Sequence, residues 1–196
     1  MEAQWAEPTW DVAWLFPEQG NWSEEEYFAL PTNRLVEFSQ GILEVLPLPT
    51  QAHQQTVAYL HTALHAYVRH NRSGTTLVAP MRVQLWPGKF REPDILFMLA
   101  EHEARRGEQF WQGADLVMEV VSPDDRLRDT ETKRREYAQA GIPEYWIVDP
   151  TEEQITVLAL VDGAYVAHGK FGSGDWAGSR LLEGFVVEVT AVFAAN

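Results

Sequence analysis

Cysteine is absent from the 196-residue chain, which excludes disulfides, thiolate metal sites and a cysteine nucleophile. No apolar run approaches the ~20 residues that cross a bilayer, so no membrane partner is expected. The opening Met1-Glu2-Ala3-Gln4-Trp5-Ala6-Glu7 lacks the basic region and apolar core of a signal peptide, and a cytoplasmic protein is the expectation. Phosphate-cradling glycine loops, a Gly-x-Ser-x-Gly elbow and a dinucleotide fingerprint are missing too, which removes the commonest nucleotide and acyl-transfer readings. No repeat or low-complexity linker divides the chain.

Bases are also scarce. Lysine and arginine number 15 against 29 acids, for a net charge of −14. That sign is unfavourable for a nucleic-acid binder, but the excess is uneven. Residues 1–30 hold seven acids and no base, whereas residues 66–135 hold twelve bases and eleven acids. What is present is ordinary for a globular domain: 45% apolar and 22% charged residues, and enough length for one full core.

Trp5, Trp10, Trp14 and Trp22 stand among the N-terminal acids. Residues 1–33 are therefore expected to form an acidic, tryptophan-rich segment packed on the body, and 34–196 a single domain. Ser23 with Glu26 makes a capping box for a short helix to about Leu30. Arg34–Phe38 and Ile42–Leu46 flank Ser39-Gln40-Gly41 as a hairpin. Val57, Leu60, Leu64 and Val68 recur at helical steps within a helix over residues 51–70. Three strand-length apolar runs follow, at 76–86, 94–99 and 116–121. A second helix spans 129–140, with Asp129 as its N-cap and Gly141 as its stop. Tyr145–Val148 is a further strand, and Ile155–Val161 with Ala164–His168 a second hairpin. Residues 184–193 fit strand or helix. The pattern predicts an α/β fold: a mixed β-sheet flanked by helices, with added hairpins.

Two acids sit where acids are costly. Asp94 opens one apolar strand, and Glu119 lies inside another, Leu116-Val117-Met118-Glu119-Val120-Val121. A carboxylate there costs several kcal/mol unless neutralised, paired or metal-bound. Each acid alone reads equally as a strand-end hydrogen bond or ion pair. If their strands pair, only ~4.8 Å apart, both acids can reach one Mg²⁺ or Mn²⁺. Lys133 and Tyr137 share a helix face at the i, i+4 spacing. That face either points the ammonium at the acids or lets it reach solvent. Facing the acids, Lys133 would orient or deprotonate a water, or neutralise phosphate charge. Arg126, Arg128, Arg134 and Arg135 are the nearest bases to grip phosphates. His61 and His65 have the spacing of a zinc helix, but no third ligand stands near them, and an exposed helix face is expected.

Pro93-Asp94, Glu119-Val120-Val121-Ser122-Pro123, Asp129 with Lys133 and Tyr137, and Gly141-Ile142-Pro143-Glu144-Tyr145-Trp146-Ile147-Val148-Asp149-Pro150 together closely resemble the Uma-two family of the PD-(D/E)XK nuclease superfamily. The hairpin with Glu37, Gly41 and Glu44, before His53, is similar as well. The resemblance runs from about Arg34 to the C-terminus. It implies a restriction-endonuclease-like core and metal-dependent hydrolysis of phosphodiester bonds, with DNA as substrate and possible homo-oligomers. It implies Asp94 and Glu119 as metal ligands and catalytic residues, Lys133 as the catalytic lysine and Glu37 as an auxiliary acid. In the superfamily pattern a lysine stands two residues after the second acid; here Val121 does, and Lys133 resembles a relocated replacement. Two rivals stand beside this reading. One is an inert nuclease-fold binding or assembly module, the other a hydrolase of RNA or a smaller phosphate ester.

Overall fold

In the computed structural model, residues 16–32, 34–122 and 125–194 are described. Trp5, Trp10, Trp14 and Pro123 lie outside the described residues, so the expected packing of the N-terminal segment concerns 16–32 alone. Within it, helix α1 (Glu24–Phe28) starts at the Ser23/Glu26 capping box, each partner accepting a backbone N–H of the other. Its Tyr27 is fully buried against Phe38 and Phe90, and its hydroxyl donates to the Val36 carbonyl.

Those partners belong to the first of two large sheets. Strands β1 (Val36–Ser39) and β2 (Ile42–Val45) form the expected hairpin. At its tip Gly41 has a φ of +82°, a left-handed conformation open to glycine. Its carbonyl accepts the N–H groups of Gly20 and Trp22, which ties the N-terminal segment down. β4 (Arg82–Trp86), β5 (Lys89–Arg91) and β7 (Phe110–Gln112) complete the sheet in the order β2-β1-β5-β4-β7.

The second sheet has the order β11-β10-β9-β8-β6-β3. It comprises β3 (Gly74–Val78), β6 (Ile95–Leu99), β8 (Leu116–Val120), β9 (Glu144–Asp149), β10 (Gln154–Val161) and β11 (Ala164–Phe171). Helix α2 (Gln51–Asn71), capped by Thr50, buries Thr56, Leu60, Leu64 and Val68. The last three pack on one face of this sheet. The opposite face carries Val117, Val121, Tyr145 and Ile147 against Tyr137 of helix α3 (Arg134–Gln139) and Trp111 of the first sheet. The sheet is mixed, with a parallel β8–β9 pair and antiparallel neighbours. This is the mixed α/β arrangement expected.

Several boundaries differ from the sequence reading. The run 76–86 is two strands in different sheets. Ala79-Pro80 turns the chain between them, and Pro80 has no N–H to continue a ladder. The short strands β5 and β7 carry too few residues to show periodicity. Asp129 is no N-cap: it lies inside a π-helical turn, Arg128–Lys133, that precedes α3, and its side chain pairs with Lys133. The tail 184–193 is both things in succession, strand β13 (Val186–Glu188), paired with β12 (Trp176–Gly178), and helix α4 (Val189–Ala194).

Candidate active site

Parity along β8 decides where Glu119 points. Leu116, Met118 and Val120 face the α2 core, and Val117 and Val121 the α3 core, so a side chain at 119 shares the α3 face. Asp94 immediately precedes β6. In the antiparallel register that pairs Ile95 with Met118, it stands opposite Glu119. Its Oδ2 accepts the Val120 N–H at 2.8 Å and lies 3.2 Å from His53 Nε2.

The π turn and α3 bring the rest. Lys133 Nζ is 2.9 Å from Glu119 Oε2 and 3.0 Å from Asp129 Oδ1. The Tyr137 hydroxyl, one turn on, donates to Glu119 Oε1 at 2.5 Å. The Tyr145 hydroxyl on β9 donates to the Asp129 carbonyl, pinning the π turn to the sheet. These groups border a cavity of about 80 Å³, whose lining includes Asp94, Glu119, Asp129, Lys133, His53 and Arg128.

The electrostatics are those of an over-acidic buried site. Burial raises the pKa of Glu119; Lys133 opposes this, while Asp94 and Asp129 add to it. Burial likewise raises Asp129 against the pull of Lys133. For Lys133 burial acts the other way, but Glu119 and Asp129 outweigh it and hold the ammonium above the ordinary lysine range. Lys133 thus donates to both carboxylates. His53 loses charge to burial and regains more from Asp94, so its pKa rises.

The sequence model of the Uma2 family, described as "Putative restriction endonuclease", matches residues 24–190. The chain belongs to the Uma2 family. The match begins inside α1, earlier than the start near Arg34 read from the motifs. A solved structure, of a putative nuclease from Anabaena variabilis, superposes with a TM-score of 0.72 at 16% identity, covering 87% of this chain and 97% of that one. At that identity the likeness shows the fold, which is restriction-endonuclease-like. No curated protein matches the sequence. Family and fold together point to a nuclease.

Within this Uma2 chain, Asp94, Glu119 and Lys133 meet in one cavity. Glu37 does not line it. That carboxylate is fully buried, paired with Arg91 and Arg128, and accepts the Glu92 N–H at 3.1 Å. Of the four arginines, Arg128 borders the cavity while paired with Glu37 and Glu44. Arg126 and Arg134 line a different hollow, near Asp149 and Lys170, and Arg134 and Arg135 a groove beside Tyr165. Arg126 pairs with Asp149, and Arg134 donates to the Tyr165 carbonyl.

Two cavity residues carried little or no signal in sequence. His53 follows the Thr50 cap by three residues, where capping or packing explains a histidine as well as substrate contact does. Glu92 hides beside Asp94. Burial pushes its carboxyl up to about 7, Arg82 pulling against this. His61 departs from expectation as well: it lines a second cleft instead of a freely exposed helix face, while His65 is exposed.

The donor set fits a hard divalent cation. Among the described residues no group of three or more His, Asp or Glu side chains is gathered to hold a metal, so a closed zinc-type cage is not formed. Three carboxylates, Asp94, Glu119 and Asp129, line the cavity, and Lys133 pairs with two of them. Mg²⁺ and Mn²⁺ are commonly held by one or two carboxylates, water and substrate oxygens.

Proposed function

We propose that this Uma2 protein is a Mg²⁺- or Mn²⁺-dependent endonuclease that hydrolyses phosphodiester bonds in DNA. The reading is carried by one observation: two carboxylates from paired strands and a charged lysine converge on one cavity. Asp94 and Glu119 would hold the cation, which when bound supplies Lewis-acid polarisation of a phosphoryl oxygen and a more acidic water. Tyr137 and Lys133 fix the two oxygens of Glu119. The Lys133 ammonium then stands ready to orient the attacking water and to offset charge on the phosphorane. Asp129 holds the lysine in place. Arg128 at the cavity margin is placed to meet a phosphate, and Arg126, Arg134 and Arg135 to meet flanking backbone, which would make binding steeply salt-dependent. No helix among the described residues is long and apolar enough to cross a membrane, and we place the protein in the cytoplasm.

The deciding experiment is cleavage of plasmid and oligonucleotide DNA by wild type, Asp94→Ala and Glu119→Ala, with and without EDTA. Loss of cleavage in both variants and in EDTA, with the fold retained, is the expected result. Cleavage by folded variants at the wild-type rate refutes it. The net charge of −14 favours the inert-module reading as the rival. A thermal shift with Mn²⁺ that is lost in Asp94→Ala counts against that rival, since only a protein that binds the ion gains stability through linkage.

A further inference from the structure

A hollow of about 310 Å³ opens on the far side of the π turn from the catalytic cavity. The turn is the ridge between them. Arg128, Asp129 and Lys133 line the cavity, whereas Arg126, Thr130 and Arg134, spaced four residues apart, line the hollow. Its floor is the α3-side face of β9 and β10, with Ile147, Thr156 and Leu158. A β-bulge adds Lys170. In the β10–β11 ladder Leu158 pairs with Ala167 but Val157 with Gly169, so His168 is an extra residue on β11. That insertion shifts the parity, and Lys170 joins Ala167 in the hollow.

The hollow is cationic within a chain of net charge −14. Its one acid, Asp149, is already committed to Arg126 and to the N–H groups of Thr151 and Glu152. Arg134 donates to the neutral Tyr165 carbonyl. Neither Arg134 nor Lys170 forms an ion pair with an acid among the described residues. Two unmatched cations beside the hydrogen-bonding side chains of Gln154 and Thr156 suit an anion with several oxygens. Arg134 also lines the groove that continues past Arg135 to the β10–β11 turn. The cationic surface is therefore a track, which fits a linear polyanion better than a small free anion.

We propose that this track holds backbone phosphates of the DNA strand whose scissile phosphate lies in the cavity, with Arg134 and Lys170 as their contacts. A helix with its side chains is about 10 Å across, and a strand of duplex DNA rises ~3.4 Å per nucleotide. The held phosphate then lies about three nucleotides from the cut. This rests on the nuclease reading and gives its substrate a direction, over the π turn towards β11.

The test measures binding of a fluorescein-labelled thymidylate dodecamer by anisotropy, in EDTA so that nothing is cut, with polyglutamate of equal charge as competitor. Arg134→Gln and Lys170→Gln, both at exposed positions, should each weaken binding about five- to tenfold at about 50 mM salt. Each should also lower the slope of log K against log salt by ~0.7, the loss of one phosphate contact on a single strand. Arg69→Gln, an equal change of charge at an exposed position on α2 across the sheet, should do neither. No oligonucleotide binding, an equal loss in Arg69→Gln, or displacement by polyglutamate as effective as by unlabelled dodecamer overturns the proposal. With Mn²⁺ added, DNA cleavage by an enzyme whose two variants bind like wild type keeps the nuclease and sinks the track. Binding lost in both variants, without any cleavage by wild type, keeps the track and sinks only the endonuclease.

Discussion

Two clusters of buried and half-buried acids lie side by side in this molecule, and they are balanced differently. In the first, Glu37, Glu44 and Glu136 are met by Lys89, Arg91 and Arg128. Arg91 joins all three acids, and Lys89 Nζ reaches Glu136 at 2.9 Å. In the second, Glu119 and Asp129 share Lys133, and Asp94 beside them pairs with His53. Burial opposes ionisation in both. In the first it is outweighed: Lys133, Arg91 and Arg128 bring Glu37 down to about 2, and Arg91 and Lys89 lower Glu136. In the second it wins, and Glu119 and Asp129 rise. A matched network braces the β1–β2 hairpin against α3. An unmatched one has carboxyls pushed towards their neutral form, and on the proposed function a divalent cation would complete it.

The sharpest way to break this contrast is catalytic. Asp94→Ala and Glu119→Ala should each lower DNA cleavage by at least about 10³-fold, the loss of several kcal/mol of transition-state stabilisation; initial rates on supercoiled plasmid measure it. Next comes stability. Arg91→Met should cost ~3–5 kcal/mol in urea unfolding, because it strands buried carboxylates. Glu119→Gln, measured in EDTA, should stay within ~1 kcal/mol of wild type or gain, because it relieves an excess of like charge.

Acid separates the clusters further. The folded-state pKa of Glu37 lies below its ordinary value of 4.5, so its contribution is present above pH 4.5 and lost as pH falls through about 2. Wild type should lose about 3 kcal/mol from this group across that window. Glu37→Gln, already lacking it, should show a correspondingly flatter profile in unfolding experiments between pH 5 and 2. Metal separates the clusters as well. Mn²⁺ at a hundred times its Kd should stabilise wild type by ~2.7 kcal/mol. Glu136→Gln should keep that increment and Asp94→Ala should lose it, as read by calorimetry.

Much of this was legible before any fold was known, for local reasons. The capping box at Ser23, the helical recurrence of Leu60, Leu64 and Val68, and the stop at Gly141 each depend on residues a few positions apart. Glu119 stood out because a carboxylate amid Val and Met has few explanations. Asp129 misled because a helix-side acid looks the same whether it caps a backbone or holds a lysine. The arginines show a related limit: 126, 128, 134 and 135 crowd one helical segment. Its phase sends Arg128 to the cavity and Arg126 and Arg134 to another hollow, so proximity in sequence said nothing of direction.

Sequence alone determined the class of fold, the family and the identity of the two strand acids, because these rest on periodicity and on residue types at short spacing. Tertiary structure decided that Asp94 faces Glu119, that Glu37 belongs to a salt-bridge network beside the cavity, joined to it through Arg128, and that His53 and His61 border a shared cleft. Those outcomes depend on strand register and helix phase between segments up to a hundred residues apart, and such long-range geometry exists only once the chain has packed.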